Sequence, residues 1–261
     1  MNLQLLPTDL LNAYMPQVPE GLGDAFQGLQ EAPISTTNFS FYTSVASVYS
    51  SKIEGETVEL DSYIKHKRDG IAFQPDYTKK IDDLYNAYVF AQSHSLNEAN
   101  VKLAHQILSQ HLLAEAWQGK YRNQHMYVAT DEGKIEYVAA MAGIVPSEMA
   151  LFFEDVKNLL NAELSIEAVF YFASMIHLVF AKIHPWNDGN GRTARLIEKW
   201  FLAEKLGPKA WFLQSEKMYY LQHDRYYKNL RLLGLEYDQL KYGNALPFTL
   251  MLPTSLPGPV A

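Results

Sequence analysis

The chain has 261 residues, 48% hydrophobic and 20% charged, with a formal net charge of -7 and no cysteine. That balance is ordinary for a soluble globule of one domain, or one domain with an arm. It argues against a dedicated nucleic-acid binder. It also excludes disulfides, thiolate metal sites and cysteine nucleophiles, and fits a reducing, cytoplasmic setting.

In chain order, the apolar start at Leu3–Leu6 is broken by Pro7 and Asp9 with no basic residue before it, so no secretory signal is expected. Residues 1–35, with Pro7, Pro16, Pro19 and Pro33, read as an extended arm. Ser35 to Asn38 offers helix caps, after which Tyr42, Val45, Ala46, Tyr49 and Ile53 recur at helical spacing until Gly55. Further helices are expected at 79–95, 99–116, 147–161 and 165–183. The apolar stretch 168–183 contains Ser174, His177 and Lys182, so it predicts a core helix and no membrane contact. Between them, His125–Val128 and Ile135–Val138 flank Asp131-Glu132-Gly133 and predict a small hairpin. A helix from about 190 to 206 ends at Gly207-Pro208. A last long helix covers about 215–234, and the proline-rich, uncharged end predicts an irregular tail. The expected fold is all-α, a helical bundle with one small β-hairpin. Its parts are an arm with its first helix (1–60), a core (61–240) and a tail (241–261).

The run His184-Pro185-Trp186-Asn187-Asp188-Gly189-Asn190-Gly191-Arg192-Thr193-Ala194-Arg195 falls between two helices. Gly189-Asn190-Gly191 sits where a helix starts, and free backbone N–H groups there make an anion site. Arg192 and Arg195 share a face at the helix end that disfavours positive charge by a few tenths of a kcal/mol. A bound anion would remove that conflict, and arginine forks onto phosphate oxygens. Asp188 could hold a divalent metal together with phosphate oxygens, and His184 is a natural general base near neutrality. The Gly-x-Gly-x-x-Ala pattern lacks the βαβ unit of a dinucleotide site. His184 with Asp188 as a metal pair lacks a third ligand of matching spacing.

A second charge conflict closes the early helix. Ser47, Ser50 and Glu54 share a face, and Glu54 stands at the helix end that disfavours a carboxylate. The misplaced acid and the misplaced arginines would relieve each other if they met.

With one departure, Trp186 for Phe, His184 to Arg195 meets the Fic-domain pattern His-Pro-Phe-x-Asp/Glu-Gly-Asn-Gly-Arg-x-x-Arg, so the chain resembles a Fic-domain protein. His177 to Ile183 is similar to the helix that delivers that motif. Ser50-x-x-x-Glu54-Gly55 resembles the family's inhibitory motif, in the class that carries it N-terminally in the same chain. Gly119 to Arg122, with Tyr137 and Val138, resembles the target-binding flap and its approach. Arg225-Tyr226-Tyr227-x-x-Leu230 is similar to a stretch near the nucleotide base. The likeness spans roughly residues 40–235.

The resemblance implies an auto-inhibited transferase that moves AMP from ATP to a Ser, Thr or Tyr hydroxyl of a target protein, possibly itself, and releases pyrophosphate. It implies His184 as base, Asp188 on Mg²⁺, and Gly189, Asn190 and Gly191 around the phosphates. Arg192 would steady the β/γ region and Arg195 the γ-phosphate, with Tyr226 near the base. Glu54 would pair with Arg195 and bar ATP from its productive pose. Homodimers are common in such proteins. Ala139-Ala140 replaces the flap's usual Pro-Pro, and Gly234 replaces an Asn seven residues after the second Tyr. The same fold could instead move UMP, phosphocholine or a phosphate, remove AMP, or sense nucleotide with little turnover.

Overall fold

In the computed structural model, residues 3–73, 78–129 and 133–256 are described. In order these form helices α1 (Leu11–Tyr14), α2 (Leu22–Gln27), α3 (Phe41–Ile53), α4 (Leu60–Asp69), α5 (Lys79–Gln92) and α6 (Glu98–Leu108). Strands β1 (Tyr127–Ala129) and β2 (Ile135–Val138) follow. Then come α7 (Val145–Asn161), α8 (Ile166–Ile183), α9 (Asn190–Leu206), α10 (Ser215–Leu221), α11 (His223–Arg231) and α12 (Leu246–Thr249). The architecture is mainly helical with one two-stranded antiparallel sheet, as expected.

The most apolar helix is the axis of the bundle. Ser165 caps α8 by accepting from Ala168 N, and every residue from Ala168 to Ile183 except Ala181 is buried. Among the described residues it is the one helix long and apolar enough to cross a membrane, yet 83% of it is buried inside the protein. α9 turns back along α8 and is itself buried from Arg192 to Leu202. A buried ion pair, Lys199 to Glu216 at 2.5 Å with Tyr88 donating to the same carboxylate, ties α9 to α10 and α5.

The proline-rich ends depart from expectation. The arm is not extended, because α1 and α2 fold it against α8. Backbone N–H groups of Gln4, Leu5 and Leu6 converge on the buried Asp155 carboxylate at 2.7–3.0 Å. Tyr171 donates to Pro7 O, and its ring lies 5.2 Å from Tyr14. The tail likewise holds α12 and 3₁₀ turns at Tyr242–Asn244 and Leu252–Ser255, with Phe248, Met251 and Leu252 buried. Pro247 and Pro253 occupy first-turn positions, where a missing N–H costs nothing. Residues 257–261 of that tail lie outside the described residues.

Other differences have local causes. α4 has only a short sequence signal: it buries only Tyr63, and its apolar set, Leu60, Tyr63 and Ile64, spans little more than one turn. α6 stops at Leu108 rather than near 116. Ser109 Oγ bonds back to His105 O, and Asp83 takes both the backbone N and Nδ1 of His111. The expected helix at 215–234 is two, divided at Gln222 (φ -111°, ψ 35°). The hairpin pairs Tyr127 with Val138 and Val128 with Tyr137, with an irregularity between Val128 and Ala129. The Asp131-Glu132 part of its turn lies outside the described residues.

Candidate active site

His184 ends α8 in the left-handed region (φ 55°, ψ 59°), the one non-glycine residue there among those described. A residue so placed needs neighbours that over-determine it. Arg122 supplies most of the contacts that do so. Its guanidinium donates to His184 O (2.7 Å), Ile183 O (3.3 Å), Gln124 O and Ala140 O, and its own N–H donates to Pro185 O. A buried cation thereby satisfies the open carbonyls at the negative end of α8.

The loop is also held from beneath. Trp186 is fully buried, its ring 4.2 Å from His105 and 4.9 Å from Tyr121 in two stacks. His105 Nδ1 accepts from Gly119 N, so its Nε2–H donates to Asp188 O (3.0 Å). Asn190 closes the loop onto itself, donating to Trp186 O and accepting from Trp186 N. Its amide is therefore taken up in the loop, and only its backbone remains for an anion. Gly189 has φ +80°, and a Cβ there would lie 3.0 Å from Leu108 Cδ1. The positive φ favours glycine, and the Leu108 contact leaves an added side chain little room.

His184 faces a cavity lined also by Glu54, Tyr137, Lys182, Arg195 and Tyr226. Its Nδ1–H donates to Ala181 O (3.2 Å), since a carbonyl can only accept, which leaves Nε2 with a free lone pair. Burial brings the imidazole down to about 4, against smaller opposing effects of the Ala181 bond and of Glu54 and Asp188. At neutral pH it is uncharged and can take a proton.

At the start of α9, Arg192 is buried with no hydrogen-bond partner for its Nε, and its nearest acid, Glu56, is 3.9 Å away. Arg195 is the opposite case. Its Nε donates to Ser50 Oγ (2.8 Å), and its Nη2 to Ser50 O (3.0 Å) and Glu54 Oε1 (2.6 Å). Its Nη1 donates to Tyr226 OH (3.3 Å). The Glu54 side chain is 28% exposed and that of Arg195 1%. Burial would raise the Glu54 carboxyl, but Arg195 and then Arg192 outweigh it and hold it below its ordinary value. The carboxylate presses on Gly191, where an added Cβ would fall 2.3 Å from Glu54 Oε1.

The end of α3 aims Glu54. Ser40 caps its start, and Gly55 (φ +92°) ends it with Gly55 N bonded to Lys52 O and Glu56 N to Ser51 O. That pair of bonds is a Schellman closure. α3 packs chiefly against α10 and α5 and carries small buried side chains, Ser44, Ala46, Ser47 and Ser50, of which Ser50 meets Arg195 of α9.

Beside the cavity, Tyr137 OH donates to Lys182 O (2.7 Å), and Lys182 Nζ sits 3.9 Å from the Tyr137 ring. Burial lowers that amine to about 8. Glu136 pairs with Arg231 across the cavity mouth. Val138, partly exposed, donates its N–H to Leu235 O. Ala139 N donates to Met126 O, a bond the expected Pro could not make, and Gly234 turns at φ +126°, where an Asn would be strained. Asp188 is exposed and accepts from Gly189 N (2.6 Å). No cluster of three or more His, Cys, Asp or Glu able to hold a metal occurs among the described residues. A lone carboxylate beside an anion site fits Mg²⁺ that takes its other ligands from phosphate and water.

Of the expected residues, His184, Gly191, Arg195, Glu54, Tyr226 and Tyr137 line one cavity and Ser50 bonds Arg195 behind it, whereas Asp188, Gly189, Arg192 and Val138 do not line it. Sequence reasoning passed over His105, over Arg122 as more than part of the flap's approach, and over Glu56. Each acts through backbone groups or a distant helix, and none has a spacing signal.

Residues 95–202 match the model of the Fic/DOC family. It is similar to the crystal structure of a Fic family protein from Desulfovibrio desulfuricans G20 (TM-score 0.73, 21% identity, covering 98% of this chain and 74% of that one). It is also similar to a Fic domain containing signaling protein from Bacteroides thetaiotaomicron VPI-5482 (TM-score 0.71, 17% identity, 91% of each chain). A third match is Fic-1 of C. elegans, residues 134–508 (TM-score 0.64, 17% identity, 95% of this chain and 71% of that one). At these identities the likeness is one of fold. No protein of curated function matches the sequence.

Proposed function

We propose that this chain is a protein adenylyltransferase held off by its own α3, using ATP and Mg²⁺ to modify a Ser, Thr or Tyr hydroxyl of a target protein, itself included. Fic-family proteins in general transfer nucleotide or other groups to proteins. The observation that carries the reading is the 2.6 Å pair of Glu54 with Arg195, on a helix start prepared for an anion and beside a neutral His184. Arg192, a buried guanidinium whose Nε has no partner, supports a polyanion as the missing ligand.

In this reading backbone N–H groups at the start of α9 hold the α- and β-phosphates, and Arg192 and Arg195 hold the β- and γ-phosphates. Asp188 would hold Mg²⁺, which neutralises phosphate charge when bound. His184 Nε2 takes the proton of the target hydroxyl as its oxygen bonds to the α-phosphorus. The bond from that phosphorus to the β-bridging oxygen breaks, and pyrophosphate leaves. The flap edge at Tyr137 and Val138 would set the target's register.

The test is label transfer from α-³²P-ATP with Mg²⁺ to the protein itself. Glu54→Gly should incorporate about 10- to 100-fold more label than wild type, the range a coupling of about 1.4–2.8 kcal/mol gives. Adding His184→Ala should abolish transfer while ATP still binds. Absence of label in Glu54→Gly, despite ATP binding, would instead favour another donor or a sensing module.

A further inference from the structure

Arg195 makes three of its four side-chain hydrogen bonds to residues at the end of α3, namely Ser50 Oγ, Ser50 O and Glu54 Oε1. Among the described residues the fourth, to Tyr226 OH, is the one that does not depend on α3. That hydroxyl is itself held from behind. His177 Nε2 lies 2.9 Å from Tyr226 OH, and His177 Nδ1 lies 2.7 Å from Glu198 Oε2. Tyr219 OH donates to the same Glu198 oxygen at 2.8 Å. His177, Glu198 and Tyr219 are completely buried, and Tyr226 nearly so.

Donor and acceptor rules orient the chain one way. Arginine can only donate, so the Tyr226 oxygen accepts from Nη1 and its proton must go elsewhere. The acceptor within reach is His177 Nε2, which places the imidazole proton on Nδ1, where the Glu198 carboxylate accepts it. Glu198 therefore fixes the tautomer of His177, His177 fixes the rotor of Tyr226, and Tyr226 presents a lone pair to Arg195.

We infer that His177 and Glu198 are positioning residues that keep Arg195 aimed into the active site when α3 withdraws. This rests on the proposed role of Arg195 toward the γ-phosphate. An apolar core at these positions would cost less, because buried carboxylates and imidazoles lose hydration. Glu198 Oε1 even lacks a partner. A chain that keeps such a pair uses it to orient something, and the hydrogen bonds lead to one functional side chain. Neither His177 nor Glu198 lines the cavity, so their effect must pass through Tyr226 and Arg195.

The experiment uses the full chain carrying Glu54→Gly and measures dissociation constants for ATP and ADP by calorimetry. His177→Phe keeps a ring but removes both nitrogens, and should weaken ATP roughly 5- to 10-fold while changing ADP less than about twofold. His177→Gln, which can still accept from Tyr226 and donate to Glu198, should recover most of the loss. His177→Phe should add nothing to Arg195→Ala, because both act on one contact. Equal losses for ATP and ADP, or additivity with Arg195→Ala, would make His177 a packing residue and overturn the inference. Should His177→Phe fail to fold, Glu198→Gln takes its place with the same expected ATP-against-ADP split.

If Glu54→Gly binds neither nucleotide, the nucleotide reading itself fails. The positioning claim is then judged by NMR, as solvent exchange of the Arg195 Nη1 protons that face Tyr226 OH, in those variants and in Tyr226→Phe. Exchange should quicken on Tyr226→Phe or His177→Phe. An unchanged rate would overturn the inference.

Discussion

At the scale of single residues, His184 and His105 show how burial sets chemistry. Burial brings both imidazoles down to about 4, so both are neutral at pH 7. His184 can then act as a base without first losing a proton, while His105 serves as a fixed donor to Asp188 O. Both also make the fold sensitive to acid. An unfolded imidazole binds a proton near 6.5, and these folded ones bind it only near 4. Between those values the unfolded state holds more protons, so stability falls as pH drops from about 6.5 to about 4 and levels below that. Glu54, held below its ordinary value, adds a loss of the same sign at lower pH. Urea midpoints should thus be lower at pH 5 than at pH 7. His105→Gln, which keeps a donor and an acceptor, should narrow the gap; an equal gap in both proteins would show that His105 is not a source of it.

At the scale of elements, the end of α3 decides the state of the site. Its Schellman closure projects two acids toward α9. Glu54 reaches Arg195 at 2.6 Å, whereas Glu56 stops 3.9 Å from Arg192 and pairs instead with Lys80 at 2.8 Å. At 3.9 Å, with the Glu56 carboxylate already engaged by Lys80, that pair contributes under about 1 kcal/mol. Glu56→Ala should therefore raise self-labelling by no more than roughly fivefold, well below Glu54→Gly. A Glu56→Ala variant as active as Glu54→Gly would show that Arg192, and not Arg195, is the residue α3 controls.

At the scale of the whole molecule, one antiparallel pair, α8 and α9, carries the site at its turn, and the rest of the chain braces it. The N-terminal residues close a loop of about 150 residues by placing three N–H groups on Asp155. Asparagine there offers one acceptor oxygen and turns an amide toward those donors. Asp155→Asn should cost about 1–3 kcal/mol of stability in urea, as a buried group left unsatisfied does. Nucleotide affinity per folded molecule should stay unchanged, because Asp155 lies on α7, away from the cavity. A selective loss of affinity instead would mean that the arm shapes the site directly.

Much of this was legible in the residues themselves. The apolar run of α8, the capped start of α3, the Gly207-Pro208 stop and the spacing of His184 to Arg195 each follow from local rules of period, capping and charge. The two charges at the wrong helix ends even pointed to their own pairing, since Glu54 and Arg195 each conflict with the dipole of the helix they sit on. Other features depend on residues far apart in sequence and had no local signature. Prolines read as breakers turned out to start short helices, because whether a missing N–H matters depends on what surrounds it. Arg122 on the carbonyls of α8, Trp186 between His105 and Tyr121, and the line from Glu198 to Arg195 exist only once four helices have packed. Sequence by itself determined which groups could do the chemistry. Tertiary structure decided their protonation, orientation and present occupancy, because burial and hydrogen-bond direction are properties of neighbours that the chain brings together only by folding.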